Sequence, residues 1–261
     1  MKQIFKISLI ISLLFLFISG CIEKESLVTV SYVIDGDTIV LENGDKIRLI
    51  GVDAPEIHES TKPVGEFAWE AKKFVEDFLK SNGWKISLEF DEEKYDYYGR
   101  TLAYVYGKDG MLNDLLLQNG LARPLFYEST SRYIDKFVSS YKNAFLNRKG
   151  IFTKYDSAQI LTPDEKNIQD FLGKIVWLKI RVDSISKDQY GNYEIIGTWN
   201  NKKAFIKIRR EEYEYIFLPE NYNIYSLKNK TVKFFGELWW SFYKNMPMIL
   251  IRAPFEIKII Q

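Results

Sequence analysis

Residues 34–56, IDGDTIVLENGDKIRLIGVDAPE, read as a short β-hairpin that carries more charge than a hairpin needs. Thr38–Glu42 and Lys46–Ile50 are β-branched and apolar, and Asn43-Gly44-Asp45 between them is a turn signal. Leu27–Ile34 alternates ahead of Asp35-Gly36-Asp37, so a third strand precedes the pair. Working outward, Pro63 to Leu79 has helical spacing, with Val64, Phe67, Ala71, Phe74, Val75 and Phe78 on one face. Trp84–Phe90 and Arg100–Tyr106 alternate as strands. Met111–Asn119 reads as a short helix closed by Gly120, and Thr130–Lys149 as a longer one closed by Gly150. The order is three strands, helix, two strands, helix, helix.

A polar stretch, Asp156–Asp164, contains Pro163 and reads as a linker between a unit at 27–155 and a second at 165–261. The second unit alternates over Lys174–Ser186, Tyr193–Thr198, Lys203–Ile208, Thr231–Trp239 and Met246–Ile251, with a short helix at Glu211–Phe217 and a further strand at Phe255–Ile260. Five strands with a helix between the third and fourth is the order of an OB-type barrel. The first unit carries 17 Lys/Arg against 20 Asp/Glu, and the second 16 against 11. A basic second unit suits an anionic partner.

Before the first strand, Lys2 and Lys6 lead into an apolar run, Ile7 to Ile18, that ends Ile18-Ser19-Gly20-Cys21. The run is shorter than the roughly 20 residues that span a bilayer, and its order is that of a secretory signal. The ending resembles a lipoprotein signal box, in which Cys21 is lipidated and begins the mature chain. The expectation is a leader over 1–21 and a protein exported to the outer face of the membrane, held there through Cys21 or otherwise secreted.

Composition narrows the chemistry. Cys21 is the chain's single cysteine and His58 its single histidine, which excludes a disulfide scaffold and a structural zinc site of Cys and His ligands. Catalysis must rest on carboxylates, arginines, tyrosines or lysines. Asp37 and Asp53 can offer carboxylate oxygens to a hard cation, with backbone carbonyls and water completing its sphere. Arg48 and Arg100 can each fork onto phosphate oxygens. Glu56, three residues after Asp53, is left to orient or deprotonate water. These parts together describe metal-assisted attack of water on a phosphodiester. His58 and the acidic run Asp91-Glu92-Glu93 read as solvated loop and turn residues.

Four separated strings, IDGDT (Ile34–Thr38), KIRLIGVDAPE (Lys46–Glu56), YDYYGRTLAYVY (Tyr95–Tyr106) and MLNDLLLQNGLAR (Met111–Arg123), agree in order with the staphylococcal nuclease family, which residues 27–155 resemble. The resemblance implies a β-rich α+β fold, a five-stranded OB-type barrel with three helices. It implies calcium-dependent endonucleolytic cleavage of DNA and RNA that leaves 3′-phosphate ends. Single-stranded DNA or RNA is the expected preference. It implies Asp37 and Asp53 as calcium ligands with the backbone carbonyl of Ala54, and Asp35 reaching the ion through water. Arg48 and Arg100 would bind the scissile phosphate, and Glu56 would activate water. Tyr98 and Phe126 would contact the substrate, Phe126 by stacking, without the hydroxyl that the family can carry near that point.

The second unit combines Trp177, Trp199, Trp239, Trp240, Phe242 and Tyr243 with Lys202, Lys203, Lys207, Arg209 and Arg210, the ingredients of single-strand capture. Two rival readings are a surface nucleic-acid-binding lipoprotein without catalysis and an adhesion or scaffold protein.

Overall fold

The computed structural model describes residues 27–58, 62–130 and 132–260; the leader and Cys21 lie outside them. No helix among the described residues is long and apolar enough to cross a membrane.

The first unit is built as its hydrophobic periodicity dictates. Strand β1 (Val28–Val33) pairs antiparallel with β2 (Thr38–Leu41), and β2 with β3 (Lys46–Leu49). The three-residue β4 (Gly51–Asp53) follows, then α1 (Ala68–Ser81), β5 (Lys85–Glu89) and β6 (Thr101–Gly107). β1 pairs with β5, β5 with β6, and β6 runs parallel to β3, with Arg48 opposite Leu102. The five strands therefore close in the order β1-β2-β3-β6-β5. Closure satisfies the backbone of every barrel strand on both sides and removes the exposed edge an open sheet would leave. The short β7 (Gly110–Met111) returns from β6 into α2 (Leu112–Gln118), followed by β8 (Arg123–Leu125) and α3 (Ile134–Leu146). The closed five-stranded barrel with helices matches the sequence-based expectation; the helix count differs, since the described residues hold a fourth, short α-helical segment at Arg210–Glu212.

Two glycines let the charged turns sit where they do. A Cβ on Gly36 would lie 2.6 Å from the Ala54 Cβ and 2.7 Å from the Ala71 Cβ, so only a glycine lets the Asp35–Asp37 turn slot between α1 and the 53–56 segment. Gly51, at φ +78°, bends the chain from β3 into β4 with Phe137 packed directly on it. β4 then pairs with β8, which places Asp53 opposite Arg123.

α1 begins five residues later than the Pro63 start expected from spacing. The chain from Pro63 to Phe67 is recruited elsewhere. The Gly65 N–H donates to the Glu56 carbonyl at 2.9 Å and the Glu66 N–H to the Gly173 carbonyl at 2.8 Å. The Glu66 carboxylate also accepts from the Ile175 N–H at 2.9 Å.

The second unit opens with β9 (Ile160–Leu161), parallel to β10 (Ile175–Lys187). The stretch expected to be a linker is thus part of the second sheet, because Leu161 is fully buried in the shared core. β11 (Tyr193–Trp199) and β12 (Lys202–Ile208) follow as a meander, then a helical turn at Arg210–Glu212 that runs on as a π-helix through Phe217. β13 (Thr231–Glu237), β14 (Trp239–Ser241), β15 (Met246–Leu250) and β16 (Ile257–Ile259) complete it. The sheet runs β14-β15-β12-β11-β10-β13-β16, with β12 and β15 parallel. No ladder joins β13 to β15 among the described residues, although Ile249 lies against Gly236 between them.

The two units share a continuous hydrophobic core. Its seam is aromatic. Phe145 stacks on Phe255 at 4.3 Å, and Tyr155 meets Trp177 edge-on at 4.9 Å. Their polar ends are satisfied across the seam: the Trp177 indole donates to the Tyr155 carbonyl at 2.8 Å, and the Tyr155 hydroxyl to the Phe255 carbonyl at 2.9 Å. Trp177 is consequently buried and offers no face to a nucleotide.

Candidate active site

The hairpin and the turn before it bring the expected charges together. In the Asp35-Gly36-Asp37 turn, the Asp37 N–H donates to the Asp35 carboxylate at 3.0 Å. Asp37 Oδ2 accepts from the Ala54 N–H at 2.8 Å, and Asp37 Oδ1 from the Thr38 hydroxyl at 3.0 Å. Arg48 points from β3 into the same place. Its Nη1 donates to the carbonyls of Leu49 and Val52, each at 2.8 Å. Its Nη2 faces Asp37 at 3.2 Å and Asp53 at 3.8 Å. One guanidinium therefore ties the two carboxylates expected to hold a cation. Burial disfavours its charge, but Asp37, Asp53 and Asp35 together outweigh that and raise the Arg48 pKa.

Asp35 shows the opposite balance. Burial and the neighbouring Asp37 carboxylate push it up to about 7. Asp53 is also buried, yet Lys62, Arg252 and Arg48 hold it well below the usual carboxylate range. Glu56 is half-buried, and the Lys62 ammonium bridges it to Asp53 at 3.0 and 3.1 Å. Lys62 was not singled out from sequence, where a lysine before Pro63 carries no pattern.

Arg100 reaches the site from the turn before β6, the strand that runs beside β3. Asp96 builds its turn: the carboxylate accepts from the backbone N–H of Tyr98 and of Arg100, each at 2.9 Å, and from Arg100 Nε at 2.7 Å. The Arg100 guanidinium lies over the Tyr98 ring at 5.6 Å, with Nη1 3.5 Å from the Thr38 hydroxyl.

These groups line two adjoining cavities. One, of about 490 Å³, holds Asp35, Asp37, Asp53, Glu56, Arg48 and Arg100; the other, of about 310 Å³, shares Arg48, Arg100 and Tyr98 and adds Tyr97 and Tyr127. Phe126 is not among the lining residues. It is completely buried, edge-on to Tyr215 of the second unit, and cannot stack on a base. Its neighbour Tyr127, half-exposed, takes the place expected of it and restores the hydroxyl. Which of the two neighbouring rings the second unit would cover has no signal in the local sequence.

His58 is exposed, as expected. Asp91 departs from a solvated turn, since its carboxylate accepts from the Tyr104 hydroxyl at 2.6 Å. No cluster of three or more His, Cys, Asp or Glu side chains arranged around a metal position occurs among the described residues.

The second unit reaches this site with residues that sequence did not flag. Arg252 Nη2 pairs with Asp53 Oδ2 at 2.8 Å. Glu237 lies behind Asp53, Glu56 and Lys62, accepting from the Trp239 indole at 2.8 Å, while the Lys62 ammonium lies 5.3 Å from the Trp239 ring centroid. Burial, with Asp53 adding to it, pushes Glu237 up to about 7. A carboxyl raised in the folded state contributes stability below its ordinary value of 4.5 and loses it as pH rises through about 7. Glu237→Gln is therefore expected to flatten the fall in Tm between pH 5 and 8, recovering up to about 3 kcal/mol at the alkaline end. Thermal melts in chelator across that range check it.

A family model described as staphylococcal nuclease homologue matches residues 46–154. It begins after the Asp35–Thr38 turn that the fold nonetheless delivers to Arg48. A thermonuclease of Staphylococcus hyicus is 39% identical over 124 residues, 46% of this chain and 72% of that protein. A thermonuclease of Staphylococcus intermedius is 42% identical over 107 residues, 40% of this chain and 62% of that one. Endonuclease YncB of Bacillus subtilis is 38% identical over 132 residues, 49% of this chain and 62% of the relative. With this coverage and the closed five-stranded barrel beneath it, the chain belongs to the staphylococcal nuclease family.

Proposed function

We propose that this protein is an exported, calcium-dependent nuclease that hydrolyses phosphodiester bonds of DNA and RNA and leaves 3′-phosphate ends. The observation that carries the reading is the convergence of Asp37, Asp53, Glu56, Arg48 and Arg100 on one cavity, joined through Arg48. The nuclease names of the relatives support it.

The donor set fits a hard cation. Every side-chain oxygen facing the cavity from Asp35, Asp37 and Asp53 is a carboxylate oxygen. Asp35, Asp37 and Asp53 gather three carboxylates around Arg48, and burial together with the Asp37 carboxylate raises Asp35. Asp37, Asp53 and the Ala54 carbonyl would hold calcium, with Asp35 acting through water. Bound there, the ion supplies positive charge against the phosphate and lowers the cost of adding a nucleophile.

The chain's own groups do the rest. Arg48 and Arg100 both line the cavity and fork onto the non-bridging oxygens of the scissile phosphate, where charge gathers in the transition state. Glu56 accepts a proton from water as the water oxygen bonds to phosphorus. The bond from phosphorus to the 5′-oxygen breaks, that oxygen takes up a proton, and the phosphate stays on the 3′ side. Tyr98 and Tyr127 offer ring faces to the adjoining nucleoside.

The second unit shares the first barrel's strand order, with its third and fifth strands parallel, which supports an OB-type reading. Exposed Phe242 and Tyr243, in the turn between β14 and β15, suit capture of unpaired bases. The basic residues contribute less than their number suggests, because Lys207 pairs with Asp188, and Arg209 and Arg210 pair with Glu211.

Cleavage of a single-stranded DNA oligonucleotide by purified protein, in calcium and then in chelator, tests the reading. The expected result is calcium-dependent cleavage with 3′-phosphate products. Binding without cleavage would instead favour a nucleic-acid-binding lipoprotein. Fractionation of producing cells, with Cys21→Ser alongside, tests the anchor: release of the variant into the medium is expected, and equal membrane retention would sink it.

A further inference from the structure

We propose that Arg252, carried by the second unit, is a positioning residue of this active site. It holds one oxygen of Asp53 so that the other faces the cavity. The proposal rests on the nuclease reading above.

Arg252 is 1% exposed, and its two terminal nitrogens are divided between two carboxylates. Nη2 takes Asp53 Oδ2 at 2.8 Å, and Nη1 takes Glu212 Oε1 at 3.2 Å. Its own backbone N–H is fixed by Glu256 at 2.7 Å, so the guanidinium is aimed from a rigid base. Asp53 Oδ1 is left toward the cavity, with Lys62 and Arg48 in front of it.

Glu212 extends the same restraint to the other wall. Its Oε1 also accepts from the Phe126 N–H at 3.3 Å and from Arg209 Nη1 at 3.2 Å, and the Arg209 guanidinium lies over the Tyr127 ring at 4.6 Å. A continuous chain thus runs from Asp53 through Arg252, Glu212 and Arg209 to Tyr127. It spaces the carboxylate end of the site from the tyrosine end.

The arrangement is not the one that pairing alone would select. Arginine and a carboxylate bind most strongly as a two-pronged fork. Here Arg252 Nε and Glu212 Oε2 are both buried without a hydrogen-bond partner among the described residues. Hydrogen bonds are forgone so that one nitrogen can stay on Asp53. With that nitrogen removed, Asp53 Oδ2 is released to a cation, and the carboxylate is held through Oδ1, by Lys62 and Arg48.

The test compares Arg252→Gln and Arg252→Lys with the parent full chain. It measures calcium binding by titration calorimetry without nucleic acid, kcat and KM on a single-stranded oligonucleotide, and Tm. Tyr155→Phe, which loses a hydrogen bond in the seam away from the site, is the docking control. The expected result for Arg252→Gln is calcium bound several-fold more tightly, kcat lower by tenfold or more, and KM changed less. Arg252→Lys is expected to recover Tm better than kcat, and it carries the test alone if the glutamine variant does not fold. A residue that merely docks the two units would lower Tm as Tyr155→Phe does, with calcium affinity and kcat unchanged in the folded protein; that result overturns the proposal. A parent protein that cleaves nothing overturns the nuclease reading itself, and this inference falls with it.

Discussion

Replacing Glu56 with glutamine is expected to cut kcat on single-stranded DNA by roughly 10²- to 10⁴-fold, the usual contribution of a positioned general base. The change is close to isosteric and removes only the ability to accept a proton. Glu56 is half-buried, and among the described residues its carboxylate is held by the Lys62 ammonium, at 3.0 Å. Its loss as an anion therefore disturbs little else, and Tm is expected to move by less than the roughly 1 kcal/mol equivalent of an exposed ion pair. Substrate affinity in calcium, measured by anisotropy, is expected to hold. A variant that turns over at the parent rate would remove Glu56 from the chemistry.

Arg48→Gln is expected to cost both catalysis and stability. Arg48 fills two carbonyls and faces two carboxylates from a buried position. Its removal leaves Asp37 and Asp53 without their shared countercharge, and breaking a buried pair on one side costs about 3–5 kcal/mol. For a chain of this size that is a fall in Tm of roughly 10 °C. kcat is expected to drop by ~10²- to 10³-fold or more through loss of a donor to the phosphate. Arg100→Gln separates the two effects. Arg100 is partly exposed and tied mainly to Asp96 of its own turn, so it is expected to lose comparable activity with a much smaller change in Tm. Melting curves beside kinetics on the two variants check the contrast; equal Tm losses would contradict the burial argument.

The parts of this site that sequence exposed are those within one local pattern. Asp35-Gly36-Asp37, Arg48, Asp53 and Glu56 lie on a hairpin and its flanks, where alternation and a turn signal fix which residues converge. The glycine between the two aspartates was visible as a turn, although its reason, the approach of Ala54 and Ala71, is tertiary. Alternation gave the barrel strands closely. It failed where a second surface intervened. α1 starts late because the chain from Pro63 to Phe67 is drawn off to meet Glu56 and Gly173. Phe126 turned inward and Tyr127 outward because Tyr215 and Glu212 cover that side. Ile160–Leu161 joined a sheet instead of linking two units. Arg252, in Ile251-Arg252-Ala253-Pro254, has no neighbour in sequence that announces a carboxylate 199 positions away.

That separation has a kinetic side. The barrel strands are held by contacts of short and middling range, whereas the Arg252–Asp53 contact spans 199 residues, and non-local contacts tend to form later. The seam of Phe145, Tyr155, Trp177 and Phe255 belongs to the same docking of the second unit that brings Arg252 to Asp53. A chain refolding after passage through a membrane would thus acquire its barrel first and the last restraint on Asp53 only when the second sheet has docked. Maturation of the site would then lag behind compaction, and the two would be separable in time by following cleavage and tryptophan fluorescence in one refolding experiment.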